Sequence, residues 1–275
     1  MNRRNFLLST SATLAASSLR AAETTRLIDC HVYLGSHPFR HLAGEEGRTF
    51  AESLRRRGVT EAWAGAFEGL LRRDISDVNR ILMQRCSSDA LFRPCGTVNP
   101  ALPDWQDELR RCAEDHGMRV IRLHPNYHGY ALADPAVREL LILATKHGLL
   151  VQIVAQMEDA RTQNPQVQVA AVDLKPLPAV MREIADARVM LLNANASMVL
   201  RHLQDCPNTT LDFAMIEGVG GVENLLKNWR LDRLVFGSFA PVFYWESSHL
   251  KIQESGLDEG QTASVCWENA TALLG

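Results

Sequence analysis

Most of the signatures that announce a chemistry are missing from this chain. None of its six cysteines (Cys30, Cys86, Cys95, Cys112, Cys206, Cys266) stands in C-x-x-C spacing, which removes zinc knuckles and redox dithiols. Neither a phosphate loop of the G-x-x-x-x-G-K type nor a G-x-S-x-G elbow occurs, so P-loop nucleotide chemistry and an α/β-hydrolase serine are not indicated. An excess of one charge is absent as well. With 29 Lys and Arg against 32 Asp and Glu the net charge is -3, which gives no electrostatic footprint for nucleic acid or an anionic membrane and leaves small molecules as the expected partners.

Long apolar runs are also lacking. The low-charge stretch Leu7 to Leu19 is too short and too rich in Ser and Thr to span a bilayer. It follows the pair Arg3-Arg4 and ends near Ala21-Ala22, which reads as a twin-arginine export leader over residues 1–22. The remainder, residues 23–275, is then expected as one domain, periplasmic, or membrane-associated if the leader is retained, with no other stable membrane span. An oxidising destination permits disulfides, whereas Cys30 and Cys95 on expected core strands and Cys266 on an expected helix suit buried thiols equally well.

What the chain does have is a regular alternation of strand-like and helix-like stretches. Strands are expected at 27–33, 61–67, 92–98, 119–123, 149–155, 189–192, 210–215 and 233–238, with helices between them. Gly58, Gly117 and Gly148 stop helices, Asp104 caps the helix that follows it, and Asp134-Pro135 opens another. Asp159 to Lys175 reads as a long loop, as does the Pro-, Tyr- and Trp-containing stretch before the last helix, 261–274. Eight apolar strands with eight helices in roughly 250 residues is the arithmetic of a (β/α)8 TIM barrel. A doubly wound sheet fits less well, because no Gly-rich turn follows the first strand.

In such a barrel chemistry sits at the C-terminal strand ends. Those ends carry His31 and Tyr33, Asn99, His124, Gln156 to Asp159, Asn193 with Asn195, Met215, and Ser238 with Phe239. Arg40 follows the first strand and is a candidate clamp for a ligand carboxylate. Tyr127, in the loop His124-Pro125-Asn126-Tyr127-His128-Gly129-Tyr130, is a candidate to hydrogen-bond a polar ligand. Glu158 and Asp159 precede Arg161, so either carboxylate is a candidate acid or base and either could simply pair with the arginine. Ser238 comes with no paired base, which leaves it a binding candidate rather than a nucleophile.

The stretch Leu27 to Gly35, LIDCHVYLG, resembles the first strand of the amidohydrolase superfamily, in its amidohydrolase-related (amidohydrolase 2) branch, whose pattern is Asp-x-His-x-His-x-Gly. GMRVIRLHP, GLLVQIVA, ARVMLLNANA and LDRLVFGSFAP resemble that branch's fourth, fifth, sixth and eighth strands. The resemblance implies a barrel of metal-dependent hydrolases, with some decarboxylases and lactonases. It also implies metal ligands at five positions, occupied here by His31, Tyr33, Val154, Asn193 and Phe239. Only His31 keeps the family's ligand, and valine and phenylalanine offer no lone pair. Neither a metal nor another cofactor is therefore expected. Two readings follow. One is an enzyme acting without metal on a small lactone, ester or amide that bears a carboxylate, with His31 or His124 as acid and base and Tyr33, Arg40, Asn99, Tyr127, Asn193 and Ser238 binding substrate. The other is a non-catalytic descendant that binds a small ligand or a protein partner.

Overall fold

The computed structural model describes residues 26–42, 47–206 and 208–275; the twin-arginine stretch lies outside them. In chain order the elements are β1 (Leu27–Leu34), α1 (Gly47–Arg56), β2 (Val59–Ala66), α2 (Ile75–Ser87), β3 (Phe92–Thr97), α3 (Trp105–Arg110), β4 (Val120–Leu123), the single turn α4 (Pro125–His128), α5 (Pro135–Lys146) and β5 (Leu150–Val154). They continue with α6 (Leu177–Glu183), β6 (Val189–Leu192), α7 (Ala196–His202), β7 (Thr209–Asp212), α8 (Gly221–Leu226), β8 (Leu234–Val235), α9 (Trp245–Glu254), α10 (Glu259–Ala263) and α11 (Asn269–Leu274).

Near-continuous apolar strands suit a parallel sheet covered on both faces by the helices that return outside it, and that is the arrangement found. The eight strands are parallel and ordered β1 to β8. The circle is closed by backbone bonds from Cys30 N to Phe236 O (2.9 Å), Phe239 N to His31 O (2.8 Å) and Tyr33 N to Ala240 O (3.0 Å). The structure is thus the (β/α)8 barrel. Val32, Leu34, Ala64 and Ile121 face the helix layer, while Ile28, Tyr33, Trp63, Leu150, Met190 and Phe239 fill the interior.

Several local expectations are corrected. The side chains of Asp104 and Asp134 stand at helix starts without capping them; the Asp134 carboxylate instead accepts from Ala131 N at 2.9 Å, closing the turn before Pro135. The helix expected from Asp104 to His116 is α-helical only to Arg110 and widens over Arg111–Asp115. The stretch read as a loop before the last helix contains α9, which buries Trp245 and Ser248. β8 is shorter than expected, two residues long, although the chain beyond it, Phe236 to Ala240, still bonds β1. All six cysteines are buried and unpaired.

Candidate functional site

At the C-terminal end of β1, His31 is wholly buried. Its Nδ1 lies 2.6 Å from Asp212 Oδ2, at the end of β7. A carboxylate only accepts, so the imidazole donates from Nδ1 and leaves Nε2 a bare lone pair. Nε2 is buried without a hydrogen-bond partner. Burial is the main influence on this ring and outweighs the attraction of Asp212, lowering the pKa to about 4; His31 is neutral at pH 7. Asp212 Oδ1 also accepts from Asn193 N at 2.9 Å, so one carboxylate ties the ends of β1, β6 and β7 together.

The next inward residue, Tyr33, has its hydroxyl 2.9 Å from His124 Nε2 and 3.5 Å from Met157 Sδ. Desolvation raises the phenol to about 12, so it stays a neutral donor. Beneath its ring, 4.6 Å from the centroid, lies the Arg122 guanidinium, a cation held against an aromatic face. Arg122 is fully buried. It donates to Gln152 Oε1 (2.8 Å), Val32 O (2.9 Å) and Trp63 O (3.2 Å). Only a glycine fits opposite: a Cβ on Gly65 would stand 2.5 Å from Arg122 Nη1. His124 is buried too, and desolvation with the nearby His128 and Arg122 holds its pKa well below the usual imidazole range.

Phe239 closes this cluster from above. Its ring stacks on His31 with centroids 4.7 Å apart, meets Tyr33 edge-on at 5.9 Å, and is itself wholly buried. Near this cluster lies a narrow crevice of about 10 Å³, room for little more than a water, lined by His124, Tyr127, Gln156, Met157 and Gln163 among others. The long loop after β5 roofs the cleft. It is tied down by Asn193 Nδ2 to Gln156 O (2.9 Å), by Asn126 to Ala170 O, and by Arg40 Nη2 to Thr162 O (2.9 Å).

The structure therefore gathers His31, Tyr33, His124, Tyr127, Asn193 and the Arg40–Glu158 pair at one end of the barrel. Other expected site residues fall elsewhere or serve the backbone. Asn99 caps the turn after β3 by accepting from Ala101 N (3.0 Å) and borders a separate small cleft with Ser76 and Glu108. Asp159 is an exposed partner of Arg161, whose side-chain and backbone hydrogen bonds lower it to about 2. Ser238 is buried, its hydroxyl accepting from Ala240 N at 3.0 Å. Arg40 lies 2.9 Å from Glu158 Oε1, which His37 Nε2 also approaches at 3.3 Å, so the expected clamp already faces a carboxylate of this chain.

Asp212, Arg122 and Gln152 escaped the sequence reading. Arg122 and Gln152 are lone polar residues inside otherwise apolar strands, and that interruption is the signal that marks them; Asp212 ends the strand Thr209–Asp212, which already carries two threonines. At the five positions where the resemblance implies metal ligands, Val154 is buried among apolar neighbours and Phe239 occupies the space over His31. Among the described residues no three His, Cys, Asp or Glu side chains come together as a group able to hold a metal ion.

No protein of curated function matches the chain in sequence. Among solved structures, 2,6-dihydroxybenzoate decarboxylase from Rhizobium superposes with a TM-score of 0.71 at 11% identity, covering 90% of this chain and 98% of its own. For 5-carboxyvanillate decarboxylase from Sphingomonas paucimobilis the values are 0.69 and 12%, over 91% and 99%. A dihydroxybenzoic acid decarboxylase from a Polaromonas species, with bound manganese and the inhibitor 2-nitroresorcinol, gives 0.70 and 10%, over 90% and 96%. These likenesses show a shared fold. The profile of the Amidohydrolase family matches residues 28–275, which is nearly the whole chain, and the protein belongs to that family.

Proposed function

We propose that this barrel binds a small carboxylate-bearing molecule among the loops over its strand ends, beside Arg40 and Tyr127, and that it does so without a resident metal and without turnover. The observation that carries the reading is the Phe239 ring stacked on His31 with both side chains wholly buried. A side chain with no lone pair covers the imidazole, and a single imidazole is too small a donor set for a catalytic cation. The carboxylate class comes from the neighbouring decarboxylases, whose names state benzoate-type acids, and from the solvent-reachable cation of Arg40 in the loop after β1.

One feature favours a second reading, a metal-free acid–base enzyme acting on a lactone, ester or amide. Neutral His31 is oriented by Asp212 at 2.6 Å and keeps a bare Nε2, the arrangement of a general base. Melting curves with a panel of benzoates and aliphatic carboxylates, alongside assays for CO₂ release and hydrolysis, separate the two. Carboxylate-dependent stabilisation without turnover, and no response to zinc or manganese, is the expected result. Stoichiometric metal in the purified protein overturns the metal-free reading. Turnover that disappears in His31→Ala establishes the enzyme instead. The leader over residues 1–22 supports export, which fractionation of expressing cells tests.

A further inference from the structure

We propose that Glu158 is the chain's own occupant of the ligand-carboxylate position, so that a ligand enters by exchanging its carboxylate for that of Glu158 at Arg40. The inference rests on the proposed carboxylate-binding function and concerns how that site is filled.

Other buried or half-buried ion pairs in this protein set the standard of comparison. Arg93 grips both oxygens of Glu61 with Nε and Nη2 at 2.7 and 3.1 Å. Arg85 grips both oxygens of Glu68 at 2.7 and 3.0 Å. These are two-point, directed pairs, the geometry in which a guanidinium binds a carboxylate best. Arg40 and Glu158 differ. Their closest approach is Nη2 to Oε1 at 2.9 Å, and Oε1 has no hydrogen-bond partner although it is buried. The hydrogen bond of Nη2 goes to the backbone at Thr162 O.

Position agrees with this geometry. Glu158 directly follows Met157, which lines the cleft with Tyr127, and its side chain is 3% exposed while that of Arg40 is 34% exposed. The guanidinium is thus reachable from solvent and the carboxylate is not. Burial pushes the Glu158 pKa up, and the positive charge of Arg40 only offsets it. The charged and titratable groups facing Glu158 are Arg40, His37 and Tyr127. An entering carboxylate able to grip Arg40 at two points gains what Glu158 does not have.

The test is calorimetric titration of the full-length protein, Glu158→Gln, Glu158→Asp and Arg40→Gln with benzoate and with benzamide, its neutral counterpart of like shape. Removing the resident carboxylate should tighten benzoate by about three- to tenfold and leave benzamide unchanged. Glu158→Asp, with a shorter reach, should lie between. Arg40→Gln should lose benzoate binding. Benzoate bound equally or more weakly by both folded Glu158 variants than by the unaltered protein overturns the exchange and leaves the proposed function standing. Failure of a broad carboxylate panel to bind any of the four proteins overturns the proposed function, and the exchange falls with it.

Discussion

Asp29→Asn should change stability by an amount that grows with pH. The Asp29 carboxyl is wholly buried between β1 and β8. Its Oδ1 accepts from His31 N at 3.1 Å and Ser238 N at 3.0 Å, while Oδ2 has no partner. Burial outweighs these bonds and raises the pKa from 3.8 to about 7. The folded chain therefore keeps this proton to about pH 7, whereas the unfolded chain releases it near 3.8. With a raised folded pKa, the contribution of Asp29 is fully present below the unfolded pKa and is lost as pH rises through the folded one. The loss reaches on the order of 4 kcal/mol at neutral pH and above. Asparagine keeps the Oδ1 acceptor and has no proton to lose. Buried, neutral His31 and His124 act in the opposite direction, but both proteins contain them, so the difference isolates position 29. Urea unfolding followed by tryptophan fluorescence should show the advantage of Asp29→Asn growing by about 2 to 3 kcal/mol between about pH 5 and pH 8. A difference constant across that range refutes the reasoning.

Phe239→Gly should cost about 2 to 4 kcal/mol, the lost ring packing being partly offset by relief of a positive φ. It should also open His31 to diethyl pyrocarbonate; histidine modification unchanged from the unaltered protein contradicts the seal. Arg122→Met leaves Gln152 Oε1, Val32 O and Trp63 O without their donor and should cost about 3 kcal/mol or more. A loss below about 1 kcal/mol in urea unfolding would show that this buried cation is dispensable.

The strands were legible because a parallel barrel demands a run of apolar residues at each, and the runs stand out between glycines and prolines. The assembly at the mouth was legible only in part. His31, Tyr33 and His124 lie on strand ends, and strand ends face one way. Asn99 and Asp159 also follow strands, but a loop residue beyond a strand end can point to the rim as easily as to the centre, and packing against α2 and α3 or an adjacent arginine decides it. Asp212 was hidden because its meaning depends on closure of the circle, which sets β7 near β1 across 181 residues. The Arg40–Glu158 contact likewise joins loops far apart in sequence, and no local pattern encodes it.

Phe239 adopts φ +58°, a conformation that bulky residues rarely hold and that glycine, asparagine and aspartate accept most readily. A backbone of this shape makes position 239 a site of conflict between main chain and side chain. Random substitution judged by backbone strain alone would drift toward those three residues. A library at position 239 selected only for folded yield would show whether packing of the ring on His31 outweighs that pull.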